Sequence, residues 1–416
     1  MRIAMVVWNE FRNDARVLKE AETLQAEGYQ VTVHALHTPG VTEEREILAS
    51  GVHVVRVARS PFWRWRKHTA PSSAGSGSTA ASRPAAGPIG KTSLWMQVLR
   101  IVARLWTHIG LVVRMVRSHP DVVHAHDVNT LSTAWLAAVL TRSSLVYDAH
   151  EISTGREGYA SFRSLVGCVE KRLMPRAAGT ITTTDTRAKF FARAYHVTRP
   201  RVLQNRPRLT TIERSQRIRE QLQLDKPWPI VLYQGGLQQG RGLERLVDVA
   251  GKVENTYFVF IGGGRLETLL MDHARRLNIE NRVRFIPTVP LKELLHYTAS
   301  ADIGVQPIEN TCLNHFSTDS NKLFEYVQAG LPVIASDLPE IRRVVNEHGL
   351  GILVPDGDSS ALAAAINELV SDPVKRARFG DNAKRAAATL SWEAQEQELT
   401  GLYKHVLAGC NHAPAH

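Results

Sequence analysis

The residues best suited to chemistry lie in Ser317-Thr-Asp-Ser-Asn-Lys-Leu-Phe-Glu-Tyr-Val-Gln-Ala-Gly-Leu-Pro. The pattern predicts a helix that starts near Ser320 or Asn321, capped by small polar residues, and stops at Gly330, where Pro332 forbids continuation. Open N–H groups at such a start attract anions, and Lys322 adds a point charge. Glu325, one turn further in, can accept hydrogen bonds from a vicinal diol such as a ribose. An ordinary capped surface helix has similar letters, so a ligand site needs partners elsewhere in the chain.

Two glycine-rich turns supply them. In Val231-Leu-Tyr-Gln-Gly-Gly-Leu-Gln-Gln-Gly-Arg-Gly, a strand runs into Gly235, Gly236, Gly240 and Gly242, which let backbone approach a ligand. Arg241 sits where the next helix begins and can fork onto phosphate oxygens. Gly262 and Gly263 follow another strand without the GxGxxG spacing of a dinucleotide site. The three segments together describe one nucleotide-diphosphate pocket.

Earlier in the chain, Asp121-Val-Val-His-Ala-His-Asp and Val146-Tyr-Asp-Ala-His-Glu each end a strand with histidine and carboxylate. Alternation puts His124 and His126 on one face, but these letters specify no third ligand, so no metal is assigned. His150 and Glu151 lie just past their strand, where a polar sugar-binding role fits.

The elements that must position these residues alternate between strand and helix. Strands are read at Arg2–Val7, Gln30–Leu36, Val52–Val57, Val122–Ala125, Ser144–Asp148 and Thr180–Thr183. A proline-punctuated stretch and a helix over Ile212–Leu222 follow. The scheme then restarts at Ile230–Tyr233, Tyr257–Ile261, Arg282–Phe285, Ile303–Val305, Val333–Ala335 and Gly351–Val354. Runs apolar on both faces suit parallel sheets covered by helices. The expectation is an α/β protein of two Rossmann-like domains facing a central cleft. Residues 1–205 form the first and 206–390 the second, with a closing helix and tail over 391–416. Thr69–Gly90, built of Ser, Ala, Gly and Pro, reads as a disordered loop.

These residues resemble the retaining glycosyltransferases of family 4, which have the GT-B fold, over nearly the whole chain. Asn13-Asp14 looks like that family's acceptor-side loop. His124-Ala-His126-Asp127 and Tyr147-Asp-Ala-His150-Glu151 resemble its first-domain signatures. The glycine turn with Arg241 and the Asn321–Pro332 segment resemble its donor site. The resemblance implies that Glu325 binds ribose. It implies that Arg241, Lys322 and the helix start near Ser320 hold the diphosphate, and that His150 touches the transferred sugar. Asn13, Asp14, His126, Asp127, His150 and Glu151 fall on the acceptor side. The chain departs from the family at Ser317, where a sugar-contacting glutamate is common, and at Gly236, where many members carry arginine.

The function expected is therefore transfer of a sugar from a nucleotide-diphosphate sugar to a glycan or lipid-linked acceptor. Retention of configuration and independence of metal are expected, and no cofactor beyond the sugar nucleotide. Alternatives are a sugar-nucleotide epimerase of similar fold and a non-catalytic sugar-nucleotide binder. A nicotinamide-dependent enzyme is disfavoured, because Val7-Trp-Asn-Glu-Phe-Arg-Asn has no glycine after the first strand. No nucleic-acid-binding module is visible. Over 416 residues the net charge is +11, which favours anionic partners. Arg56, Arg59, Arg64, Arg66 and Lys67 mix with Phe62, Trp63 and Trp65, and the arginine-bearing helix from Leu94 follows. Both suit an anionic membrane surface. Three separated cysteines and a short, promptly charged N-terminal run fit the cytoplasm, at the inner face of the plasma membrane.

Overall fold

A computed structural model describes residues 1–59, 94–156, 159 and 162–410. The loop expected at 69–90, with Phe62, Trp63, Arg64, Trp65, Arg66 and Lys67, lies outside them. The chain divides into two compact units, Met1–Tyr147 and Asp148–His416.

In the first unit the strands are β1 (Arg2–Val6), β2 (Gln30–His37), β3 (Arg45–Ile47), β4 (His53–Ala58), β5 (Val122–His126) and β6 (Ser144–Ala149). They lie in the order β3-β4-β2-β1-β5-β6. β1 pairs parallel with β2 and with β5, so Met5 faces Val33 on one side and His124 on the other. Only β3 runs antiparallel among the registers described for this unit, as an edge strand on β4. Helix Ala15–Ala26 begins after Asp14, whose Oδ1 accepts from the Val17 N–H at 3.2 Å; it buries Val17, Ala21 and Leu24. Arg56 is a correction to the sequence reading. It is only 3% exposed and fixes the edge of the sheet, with Nη1 2.5 Å from Glu46 Oε2 and Nε donating to Glu10 O at 3.0 Å. It therefore does not belong to a basic surface.

In the second unit β7 (Gly179–Thr182) pairs parallel with β8 (Arg201–Val202). The other strands are β9 (Ile230–Gln234), β10 (Tyr257–Ile261), β11 (Val283–Ile286), β12 (Ile303–Gln306), β13 (Val333–Ser336) and β14 (Gly351–Val354). Their order, β11-β10-β9-β12-β13-β14, is the doubly wound 3-2-1-4-5-6 arrangement. Each face of this sheet has its own core. Ile230 and Leu232 pack with Leu323, Phe324 and Val327 of helix Asn321–Gln328, while Val231 and Tyr233 pack with Leu246, Val247 and Ala250 of helix Leu243–Lys252.

The helix expected over Ile212–Leu222 is confined to Arg217–Leu222. The Ser215 N–H bonds instead to Ala299 O at 3.2 Å, which takes the preceding backbone out of the helical path. Helix Glu393–Cys410 packs on β7 and β8: a Cβ on Gly179 would stand 2.9 Å from Val406 Cγ2. No described helix is long and apolar enough to cross a membrane.

Candidate functional site

In the second sheet, strand order reverses between β9 and β12, and open α/β sheets bind ligands beyond the C-terminal ends of strands at such a point. β9 ends there with Gln234, and Gly235 follows it. Gly235 has φ +116°, which a side chain rarely adopts, and a Cβ would stand 3.2 Å from Lys322 Nζ. The Lys322 ammonium lies 5.1 Å from the Tyr233 ring centroid. Glu325 Oε2 accepts from Gln234 Nε2, and Gln234 Oε1 accepts from the Thr298 hydroxyl at 2.8 Å. The carboxamide of Gln234 thereby holds Glu325 in place.

Lys322 is buried, and its ammonium is held down to about pKa 7, first by loss of solvation and then by the nearby Arg241 guanidinium; Glu325 opposes the shift. Two cations with one partly offsetting carboxylate make a place that gains from a bound anion. Helix Asn321–Gln328 starts at Ser320 with φ 55° and ψ 132°, without a side-chain cap bond. The sequence expectation of a capped start is corrected: Ser320 is turned into the left-handed region, and its own N–H goes to Thr318 Oγ1 at 3.2 Å.

The glycines have two different jobs. A Cβ on Gly242 would fall 2.0 Å from Pro307 O, and one on Gly262 would fall 2.2 Å from Gly235 O. Gly240 would strike the His315 ring at 2.4 Å. These three make room for the protein's own atoms, not for open backbone. Gly236 and Gly263 have no neighbour closer than 3.5 Å, and they alone keep the openness read from the sequence for these five positions.

Ser317 is fully buried. Its hydroxyl donates to Leu313 O at 2.7 Å and accepts from Arg187 Nε at 3.1 Å. Arg187 is a residue that the sequence reading missed. Its Nη1 donates to His150 O at 2.7 Å and its Nη2 to Asn314 O at 3.1 Å. Asn314 exchanges two bonds with the Ile152 backbone, at 2.8 and 3.1 Å. The segment carrying His150 and the segment carrying Ser317 are thus bound together within the second unit. His150 Nε2 is 2.9 Å from the buried Asp148 carboxylate, a partner that orients the imidazole. Glu151 is half-buried and 3.9 Å from Arg156. Gln306, at the end of β12, was also missed. It is buried, and neither its Nε2 nor its Oε1 meets a partner among the described residues.

In the first unit Asn13 is exposed, whereas Asp14 is occupied by its cap bond and by Asn9 Nδ2 at 2.7 Å. Asp127 takes φ 64° at the start of helix Val128–Thr141. His126 is buried, with its ring 4.2 Å from that of His124, as alternation required. The third group that sequence could not supply is Glu20, whose Oε2 is 4.0 Å from His124 Nε2. Two imidazoles and a carboxylate are ligand types for a cation, but Arg16 already holds Glu20 Oε1 at 3.1 Å. The arrangement suits an internal charge network.

Residues 214–386 match the family described as glycosyl transferases group 1, and residues 14–207 match the glycosyl transferase 4-like domain. The chain belongs to the family 4-like glycosyltransferases. It is similar to the D-inositol 3-phosphate glycosyltransferases of Corynebacterium urealyticum and Corynebacterium diphtheriae. The first is 24% identical, over 81% of this chain and 87% of the relative; the second is 23% identical, over 78% and 84%. Among solved structures, sucrose-phosphate synthase from Thermosynechococcus elongatus superposes with a TM-score of 0.75 at 20% identity, over 98% of this chain and all of that one. HepE of Anabaena in complex with UDP gives 0.69 at 16% identity, over 99% and 100%. This glycosyltransferase therefore has the GT-B fold that its two parallel-sheet units foreshadowed.

Proposed function

We propose that this glycosyltransferase transfers a sugar from a nucleoside diphosphate sugar with retention of anomeric configuration and without a metal ion, onto a glycan or lipid-linked acceptor. The observation that carries the reading is the buried Lys322 beside Arg241 at the strand-order reversal, with Glu325 fixed by Gln234. As the glycosyl–phosphate bond breaks, negative charge grows on the departing diphosphate. Arg241, Lys322 and the uncapped N–H groups at the start of helix Asn321–Gln328 stabilise that charge. Cationic side chains then supply what a divalent ion otherwise supplies. The departing phosphate oxygen can take the acceptor's proton, so no strong base is needed. Glu325 accepts from the ribose diol, and Gly236 and Gly263 leave room for the donor. His150, oriented by Asp148, contacts the transferred sugar.

In this reading residues 1–205 form the acceptor-side domain and residues 206–390 the donor domain. The matched family regions, which end at 207 and begin at 214, support that division. Asn13, Asp14, His126, Asp127 and Glu151 fall on the acceptor side. The UDP held by HepE makes uridine the first base to test, and WaaG, a structural neighbour involved in lipopolysaccharide biosynthesis, supports a glycolipid or polysaccharide role.

Thermal unfolding with UDP, GDP, ADP or dTDP in the presence of EDTA tests the donor site. One nucleotide is expected to raise Tm, with a smaller rise in Glu325→Ala. No stabilisation by any of them, or stabilisation only after metal is added, would overturn the metal-free donor site. Product analysis by NMR with the identified donor then reads the anomeric outcome.

A further inference from the structure

We infer that Arg187 is a positioning residue for glycosyl transfer, setting the distance between the His150 imidazole and the start of helix Asn321–Gln328. The inference rests on the reading above, in which His150 meets the transferred sugar and that helix start holds the diphosphate. Arg187 touches no donor atom there and acts through the two segments it binds. Just after β7 begins to leave the sheet, three threonines reach those segments in turn. Thr182 Oγ1 donates to Ala149 O at 2.9 Å, Thr183 Oγ1 to His150 O at 3.3 Å and Thr184 Oγ1 to Ser317 O at 2.9 Å. Thr184 also caps helix Asp185–Tyr195, accepting from the Arg187 N–H at 3.3 Å, so Arg187 stands on the first turn. Its Nη1 donates to Thr183 Oγ1 at 2.5 Å as well as to His150 O. With Nε on Ser317 and Nη2 on Asn314, one guanidinium meets acceptors from four residues. Arg187 is 6% exposed, whereas the His150 side chain keeps 22% of its surface open.

Burying a guanidinium is costly, and an apolar side chain would fill the same space without that cost. What the arginine adds is direction. Its N–H donors leave a rigid planar fork, so acceptors on separate segments are held at fixed angles to one another. The bond to His150 is made to the main chain and fixes where that residue stands. The Asp148 carboxylate, 2.9 Å from Nε2, fixes which way the imidazole points. On the other segment Ser317 is held at both polar groups, its hydroxyl by Arg187 and its carbonyl by Thr184. Ser317 leads through Thr318, Asp319 and Ser320 into helix Asn321–Gln328. A nucleoside diphosphate meets only the helix side, whereas a sugar nucleotide meets both sides. Loss of the fork therefore costs the second ligand and spares the first.

The test compares wild type, Arg187→Lys and Ser317→Ala as full chains. Lysine keeps the charge but carries one nitrogen, so it cannot span His150 O, Ser317 Oγ and Asn314 O together. Ser317→Ala removes a single acceptor and is the milder variant should Arg187→Lys unfold. UDP-glucose, UDP-N-acetylglucosamine, GDP-mannose and ADP-glucose are the probes, followed for hydrolysis without acceptor. In that reaction the bond from the anomeric carbon to the phosphate oxygen breaks, water adds its oxygen to that carbon, and the diphosphate leaves with the electron pair. Calorimetry with UDP, GDP and ADP reads the diphosphate side alone. On the probe that the wild type hydrolyses fastest, Arg187→Lys is expected to lower kcat about 100-fold and Ser317→Ala about tenfold, with affinity for the matching nucleoside diphosphate kept within about twofold. For a probe bound but not hydrolysed, its affinity relative to that diphosphate replaces kcat and is expected to fall about tenfold. A lower Tm with these readouts unchanged would make Arg187 a structural clamp only and overturn the proposal. So would equal losses of kcat and nucleoside diphosphate affinity. A wild type that binds none of the nucleotides sinks the donor site itself. A wild type that binds them, with Arg187→Lys acting as wild type does, sinks this proposal alone.

Discussion

Lys322 concentrates the chemistry of the proposed donor site into one titration. Its ammonium is free to lose a proton at about pH 7 in the folded protein, whereas an unfolded lysine keeps its proton to about pH 10.4. Between those values the unfolded chain binds more protons, so this group makes the ligand-free protein more stable as pH rises. A diphosphate prefers the charged amine, so nucleotide affinity should fall over the same rise. Titration calorimetry at pH 6.5 and 8.5 reads the fall. Lys322→Met should bind about tenfold more weakly at the lower pH and lose the part of the slope due to this amine. An unchanged slope in Lys322→Met would assign the pH dependence to another group. That Lys322, Glu325 and Arg241 stand near one another was legible in the sequence, because a helix start and a glycine turn constrain where such residues stand. Gln234, Gln306, Arg187 and Asn314 were not. Each is a polar residue whose partners come from distant segments, and no local periodicity records that. Arg56 was misread for the same reason: an arginine amid apolar residues looks like surface until Glu46 is brought beside it.

At the scale of elements, the turns after β9 and β10 are built by backbone crowding as much as by openness. Gly262→Ala should cost about 1–3 kcal/mol, because it places a Cβ against Gly235 O at a left-handed φ. Gly263→Ala meets nothing closer than Thr288 Oγ1 at 3.5 Å and should leave Tm nearly unchanged while weakening nucleotide binding. Thermal unfolding with and without nucleotide separates the two effects; equal losses of Tm would show that both glycines are structural. The alternation of strands and helices was legible because continuous apolar runs and helical spacing differ over windows of this length. β3 and β8, of three and two residues, fall below what such patterns reveal. The start of helix Asn321–Gln328 was placed correctly but given the wrong cap, because a serine at a helix start reads as a cap whatever its φ.

At the scale of the whole molecule, the restart of the strand pattern near Ile230 marked the second parallel sheet, β9 to β14. The closing helix that the resemblance implies over 391–416 packs on β7 and β8. Trp392 is fully buried, its N–H bonds to Pro207 O at 2.8 Å, and Gln395 Oε1 accepts from the Gln204 N–H at 2.9 Å. Leu402 and Val406 then cover Gly179 of β7. Deleting 391–416 should lower Tm by several degrees, about 2–4 °C for each kcal/mol lost. Calorimetry of the shortened chain checks this; an unchanged Tm would make the helix dispensable to stability.

The same feature bears on how the protein is made. β7 leaves the ribosome about 200 residues before the helix that covers it, at a synthesis rate of about 5–20 residues per second. For about 10–40 seconds this part of the nascent chain must wait with its apolar side unprotected, so β7 and β8 gain their cover only once residues 393–410 have emerged.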